Sequence, residues 1–134
     1  MNAKKIPVIL DTDIGGDIDD TWALAMMLKR PELDVKLICS DTANTEYRSG
    51  LIAKLLEVAG RTDIPVGVGL KQEPRPQNQA AWLNDYDLTA YPGVVYYDGV
   101  QAITDTIMAS PEPITLICIG PVPNIGLALE REPG

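Results

Sequence analysis

Apolar residues fall in short unbroken blocks, each closed by a polar or small cluster, with stretches of helical spacing between them. "KIPVIL" (5–10) is such a block and stops at aspartates, the pattern of a strand buried on both faces. "DDTWALAMMLKR" (19–30) reads as a helix with acids in its first turn, bases in its last and Pro31 beyond. It is apolar nearly all round and is expected to be well covered. "DVKLICSD" (34–41) predicts a second strand. "TEYRSGLIAKLLEVAG" (45–60) predicts a second helix, with Leu51, Leu55, Val58 and Ala59 on one side and Gly60 as its stop. "IPVGVG" (64–69) predicts a third strand. Residues 70–99 are rich in proline, amides and aromatics and show no clear period, and so long a stretch more often marks a lid or binding loop than a simple connection. "GVQAITDTIMAS" (99–110) then reads as a helix, "PITLICIG" (113–120) as a strand and "PNIGLALERE" (123–132) as the start of a last helix.

The order βαβαβ, loop, αβα predicts an α/β fold, an open and mainly parallel sheet with helices on both faces, formed by residues 1–134 as a single domain. Ligands of such sheets lie at the carboxyl ends of the strands. Three polar loops are expected to meet there: the aspartates after the first strand, "CSDTANTE" after the second and "IGPVPN" after the fourth.

Composition narrows the partners. Apolar residues make up 46% of the 134 and charged residues 22%, values of ordinary globular proteins. The formal net charge of −8 repels phosphate backbones and anionic membrane surfaces, so neither nucleic acid nor membrane is an expected partner, and a cation fits better. There is no histidine, which removes the commonest general base and zinc ligand. Cys39 and Cys118 sit in apolar runs and read as small buried hydrophobes. No run reaches the roughly 18–20 apolar residues that span a bilayer. "MNAKKIPVIL" does not read as a signal peptide, and a cytoplasmic location is expected.

"DTDIGGDIDD" (11–20) holds five aspartates. A helix N-terminus offsets only about 0.3–1 kcal/mol per charge. Like charges this close call for a cation or a catalytic use, and oxygen donors without histidine favour calcium or magnesium over zinc. A capped helix with solvated turn residues explains any one aspartate, but not the whole cluster. An EF-hand loop matches at Asp11, Asp13, Gly16 and Ile18 but places Trp22 where a bidentate glutamate is required, and a strand where a helix is required. A phosphohydrolase of the haloacid dehalogenase type also carries Asp-x-Asp after its first strand, but usually continues with Gly-Thr or Gly-Ser. Here Ile14-Gly15-Gly16 follows.

With "TANTEYR", "YPGVVYYDGVQAITDTI" and "LICIGPVPNIGLAL" following in order, "DTDIGGDIDD" resembles the nucleoside hydrolases of the inosine-uridine-preferring type. In that family an Asp-x-Asp-Pro-Gly-x-Asp-Asp motif follows the first strand. Here the motif is two residues longer, with Ile14 in place of proline. The resemblance implies a Rossmann-like core and calcium-dependent hydrolysis of the N-glycosidic bond of ribonucleosides, releasing base and ribose. It implies Ca2+ held by Asp13, Asp20 and the main-chain carbonyl of Ile119, with Asp13 also the general base. Asp19 and Asn44 would bind ribose hydroxyls, and Asp11 would orient the ligands from behind; Asp17 lies in the expansion and receives no role.

Cleavage of an N-glycosidic bond builds positive charge on the sugar, which carboxylates stabilise. Family members are about twice as long, and their second half supplies further ligands. The chain thus reads as the N-terminal, truncated half of that fold, with weaker calcium binding and an exposed sheet edge expected. Self-association as a homo-oligomer is then expected. The competing reading is a non-catalytic calcium- or ribose-binding homologue. Trp82, Tyr86, Tyr91, Tyr96 and Tyr97 offer either faces for a nucleobase or packing for their own segment.

Overall fold

The computed structural model describes residues 4–134; residues 1–3, the start of the segment read as no signal peptide, lie outside them. The strands are β1 (Ile6–Thr12), β2 (Leu33–Ser40), β3 (Val66–Gly67), β4 (Val95–Tyr96) and β5 (Thr115–Cys118). They form one sheet in the order β4-β3-β2-β1-β5, with every pairing parallel. The helices are α1 (Asp19–Leu28), α2 (Thr45–Val58), α3 (Ala80–Leu83), α4 (Gly99–Ala109) and α5 (Pro123–Arg131).

Alternation along β1 builds the two layers. Val8 and Leu10 pack with Leu24 and Met27 of α1 and with Leu51, Ile52 and Leu56 of α2. Ile9 points the other way, to Leu37, Cys39 and, on α4, Ala102 and Ile103, with Ile125 of α5 against them. Helices therefore cover both faces, as the apolar blocks imply. Each aliphatic side chain removed from water here contributes about 1.5–3 kcal/mol. Gly60 ends α2 at φ +69°, with its N–H on the Glu57 carbonyl and the Arg61 N–H on that of Leu56.

Four expectations are corrected. Helix α1 is not covered all round: Ile18 before it, Trp22 and Met26 within it are exposed, because only one side meets the sheet. On α2 the buried side runs through Leu51, Ile52 and Leu56, whereas Val58 and Ala59 are exposed; packing on β1 and β2, rather than apolar spacing alone, selects the face. Cys118 is exposed, because β5 lies at the edge of the sheet and among the described residues pairs with β1 alone; Cys39, on β2 inside the sheet, is buried. The stretch 70–99 is not a bare loop but carries α3, a 3-10 turn at Leu88–Ala90 and β4.

Candidate functional site

The carboxyl ends of β1, β2 and β5 bring three loops together. Asp11, near the end of β1, is fully buried; its Oδ1 accepts from Asn124 Nδ2 at 2.8 Å, while Oδ2 has no partner. Burial, with Asp41 and Asp13 nearby, holds the Asp11 carboxyl far above the ordinary carboxylate range. Thr12 donates to Asp20 Oδ2 at 2.6 Å and accepts the Ile14 N–H at 3.1 Å, joining strand end to helix start. Asp20 is buried in the first turn of α1, and desolvation together with the Asp13 carboxylate beside it raises its pKa to about 6. Asp13 is half-buried, and Asp19 and Asp17 are exposed.

The turn between these aspartates depends on Gly15. Its φ of +109° suits glycine, and a Cβ there would lie 2.6 Å from Tyr47 Cε1. The Tyr47 hydroxyl donates to the Gly15 carbonyl at 2.9 Å and accepts the Gln79 N–H at 3.0 Å. Arg48, 3% exposed, brings a cation among the acids. Its guanidinium donates to the main-chain carbonyls of Thr42 (2.9 Å), Ile14 (2.7 Å) and Asp13, so its hydrogen bonds fix backbone rather than pair with carboxylates.

Asn44 is the N-cap of α2, accepting the Tyr47 N–H on Oδ1 at 3.2 Å. Asn44 also lines a cavity of about 630 Å³, with Tyr47, Tyr86 and Tyr97 but none of the aspartates of the β1–α1 turn. Of the other aromatics, Tyr91 is core, its hydroxyl on the Ile64 carbonyl at 2.7 Å. Trp82 lies under Lys54, whose Nζ is 4.8 Å from the ring centroid. Ile119 donates its N–H to the Asp11 carbonyl at 2.9 Å, so the segment after β5 runs alongside Asp11–Asp13.

The structure thus brings Asp11, Asp13, Asp20 and Ile119 together, with Asn44 one turn before Arg48. Asp19 stands at the solvent side of the same helix start. Three buried residues of the site escape sequence reasoning: Asp41, Arg48 and Asn124. Asn124 donates from Nδ2 to Asp11 and to the Ser40 carbonyl at 2.8 Å, and accepts the Leu70 N–H at 2.9 Å, clamping three loops from the first turn of α5. Asp41 stands in "CSDTANTE", the loop expected at the site, but nothing in its spacing sets it apart. Backbone strain gathers here too: Thr42 (φ 63°), Ala43 (φ 55°) and Val122 (φ 61°) are left-handed without being glycine.

Among the described residues no three acidic or sulfur side chains converge as a metal-binding group. The donor chemistry nevertheless fits a hard cation: oxygen ligands only, with two carboxylates whose charged forms are destabilised by burial and two buried carboxylate oxygens, Asp11 Oδ2 and Asp41 Oδ1, left without partners. Asp11, which a phosphohydrolase would use as its nucleophile, is fully buried.

Residues 8–134 match the profile of the family described as inosine-uridine preferring nucleoside hydrolase. The chain is 35% identical over 144 residues to the non-specific ribonucleoside hydrolase RihC of Klebsiella pneumoniae subsp. pneumoniae, covering 96% of this chain and 45% of the relative. It is 32% identical over 139 residues to the RihC of Escherichia coli O1:K1 / APEC, with the same coverages. It spans about half the length of the curated relatives it matches. Among solved structures it resembles the plant nucleoside hydrolase PpNRh1 (TM-score 0.74, 29% identity, 96% of this chain and 43% of that one). An inosine-guanosine nucleoside hydrolase shares the fold (TM-score 0.71, 23% identity, 95% and 43%). The aspartate turn, the clamped strand ends and the match over nearly the whole chain agree, and the chain belongs to the inosine-uridine preferring nucleoside hydrolase family.

Proposed function

We propose that this chain carries the N-terminal part of a ribonucleoside N-glycosidase site. The observation that carries the reading is the pairing of half-buried Asp13 with buried Asp20, the latter locked to β1 by Thr12 at 2.6 Å. Asp13, Asp20 and the Ile119 carbonyl would hold Ca2+. The bound ion would lower the pKa of an attacking water and fix the sugar diol. Asp13 is placed to accept a proton from an attacking water, and the neighbouring carboxylates stabilise positive charge developing on the ribose. Asp19 and Asn44 hold ribose hydroxyls. Asp11 is too buried to touch substrate and keeps the β1 end in place through Asn124.

In the same reading the protein is cytoplasmic, salvages bases from ribonucleosides and self-associates. Exposed apolar residues on α1 and the unpaired side of β5 support the last point.

Calorimetric titration with calcium, followed by a ribonucleoside hydrolysis assay, tests the proposal. The wild-type chain is expected to bind Ca2+, and Asp20→Asn to weaken binding at least tenfold. Equal affinities would sink the ligand assignment. The second reading is a homologue that binds calcium or ribose without turnover; binding with no release of base would support it.

A further inference from the structure

We propose that Asp41 is a positioning residue, which bridges from the end of β2 to the loop after β5 and holds that loop, with the Ile119 carbonyl, against Asp13. The consequence for cation binding rests on the calcium reading above; the bridge itself does not.

Strands β2 and β5 are not neighbours, because β1 lies between them. The Asp41 N–H bonds the Thr12 carbonyl at 2.9 Å, carrying the β1–β2 pairing one residue past the strand and placing Asp41 beside the end of β1. From there its Oδ2 accepts the Val122 N–H at 2.9 Å. The intervening chain passes close by: a Cβ at Gly120 would lie 2.6 Å from Asp41 Oδ2 and 3.2 Å from the Asp13 nitrogen. Only glycine fits between the two acids.

Val122 shows what the bridge restrains. It is β-branched yet sits at φ +61°, a conformation that persists only where surroundings enforce it. Asp41 supplies that enforcement through the Val122 N–H. The bridge is made deep in the fold. Asp41 is fully buried, with Oδ1 unpartnered. Burial raises its pKa and Asp13 adds to the rise, while the Asp11 carboxyl, the Val122 N–H and Arg48 oppose it.

Amide hydrogen exchange by NMR on the 134-residue chain, joined to calcium titration, tests this. In Asp41→Ala the amide of residue 122 should exchange at least tenfold faster than in wild type, with Leu10 and Ile52 unchanged and calcium affinity at least tenfold weaker. Asp41→Asn keeps an acceptor, so it should restore protection at residue 122 and recover part of the affinity. Unchanged exchange at residue 122, or acceleration in step with Leu10 and Ile52, overturns the bridge. A loosened loop with undiminished calcium affinity overturns its positioning role. If wild type binds no calcium, the calcium reading fails, while the exchange pattern still decides the bridge. Should Asp41→Ala not fold, the double variant Asp41→Ala/Val122→Gly removes strain and anchor together; protection retained at residue 122 there refutes the proposal.

Discussion

Asp11 and Asp20 make stability depend on pH in a direction opposite to that of a salt-bridged carboxylate. Their folded-state pKa values are raised from 3.8 to about 8 and about 6. Below about pH 4 both are protonated whether the chain is folded or not. As pH rises the unfolded chain ionises first, and stability is lost until pH passes about 6 for Asp20 and about 8 for Asp11. The metal-free chain should therefore melt at a lower temperature at pH 8 than at pH 5, followed by circular dichroism. Asp11→Asn should flatten that slope, and an unchanged slope would count against the assignment. Gly15→Ala tests the aspartate turn: at φ +109° the backbone alone should cost about 1–3 kcal/mol, with the Tyr47 clash added, measurable as a lower urea midpoint. At this scale the sequence was legible where chemistry repeats along the chain, as in the five aspartates. It was silent on Asp41, Arg48 and Asn124, whose roles arise from what lies across the fold rather than from near neighbours in the chain.

Helix α2 is an element whose side chains act well beyond its own length. Arg48, one turn from its start, ties the β1–α1 turn to the loop after β2 by hydrogen bonds to three carbonyls. Arg48→Met keeps the stem but leaves buried acceptors unpaired, at about 1–3 kcal/mol for each one left so. The expected result is a marked drop in denaturation midpoint together with weaker calcium binding; a variant as stable as wild type would contradict the geometry. Elements with a strong period or an uninterrupted apolar run, such as β1, β2, α2 and α4, were readable from sequence. Strand β4 was not: two residues inside a segment rich in proline and tyrosine carry no pattern, and their pairing with β3 is set by the sheet. All-round apolarity misassigned the outer residues of α1 and apolar spacing those of α2, since neither shows how much of a helix its neighbours cover.

For the whole molecule, the exposed apolar residues have a measurable consequence. Ile18, Trp22 and Met26 recur every fourth residue at the α1 surface, and Trp22 is 69% exposed. Light scattering should show apparent mass rising with concentration, and Trp22→Lys with Met26→Lys should reduce the rise. A constant monomer mass for the wild type would refute self-association. The parallel sheet with two helical layers followed from the alternation of elements, while the placing of β5 beside β1 did not, because nothing local in either strand encodes that pairing. That pairing also governs the order in which the molecule is made. Strand β1 meets β2 early but waits for β5, roughly 100 residues later in the chain. At a synthesis rate of about 5–20 residues per second, the aspartates emerge several seconds before the segment that carries Ile119 and Asn124. Until then they belong to an unfinished, hydrated chain, and the buried acids of the mature edge are among the last features that folding creates.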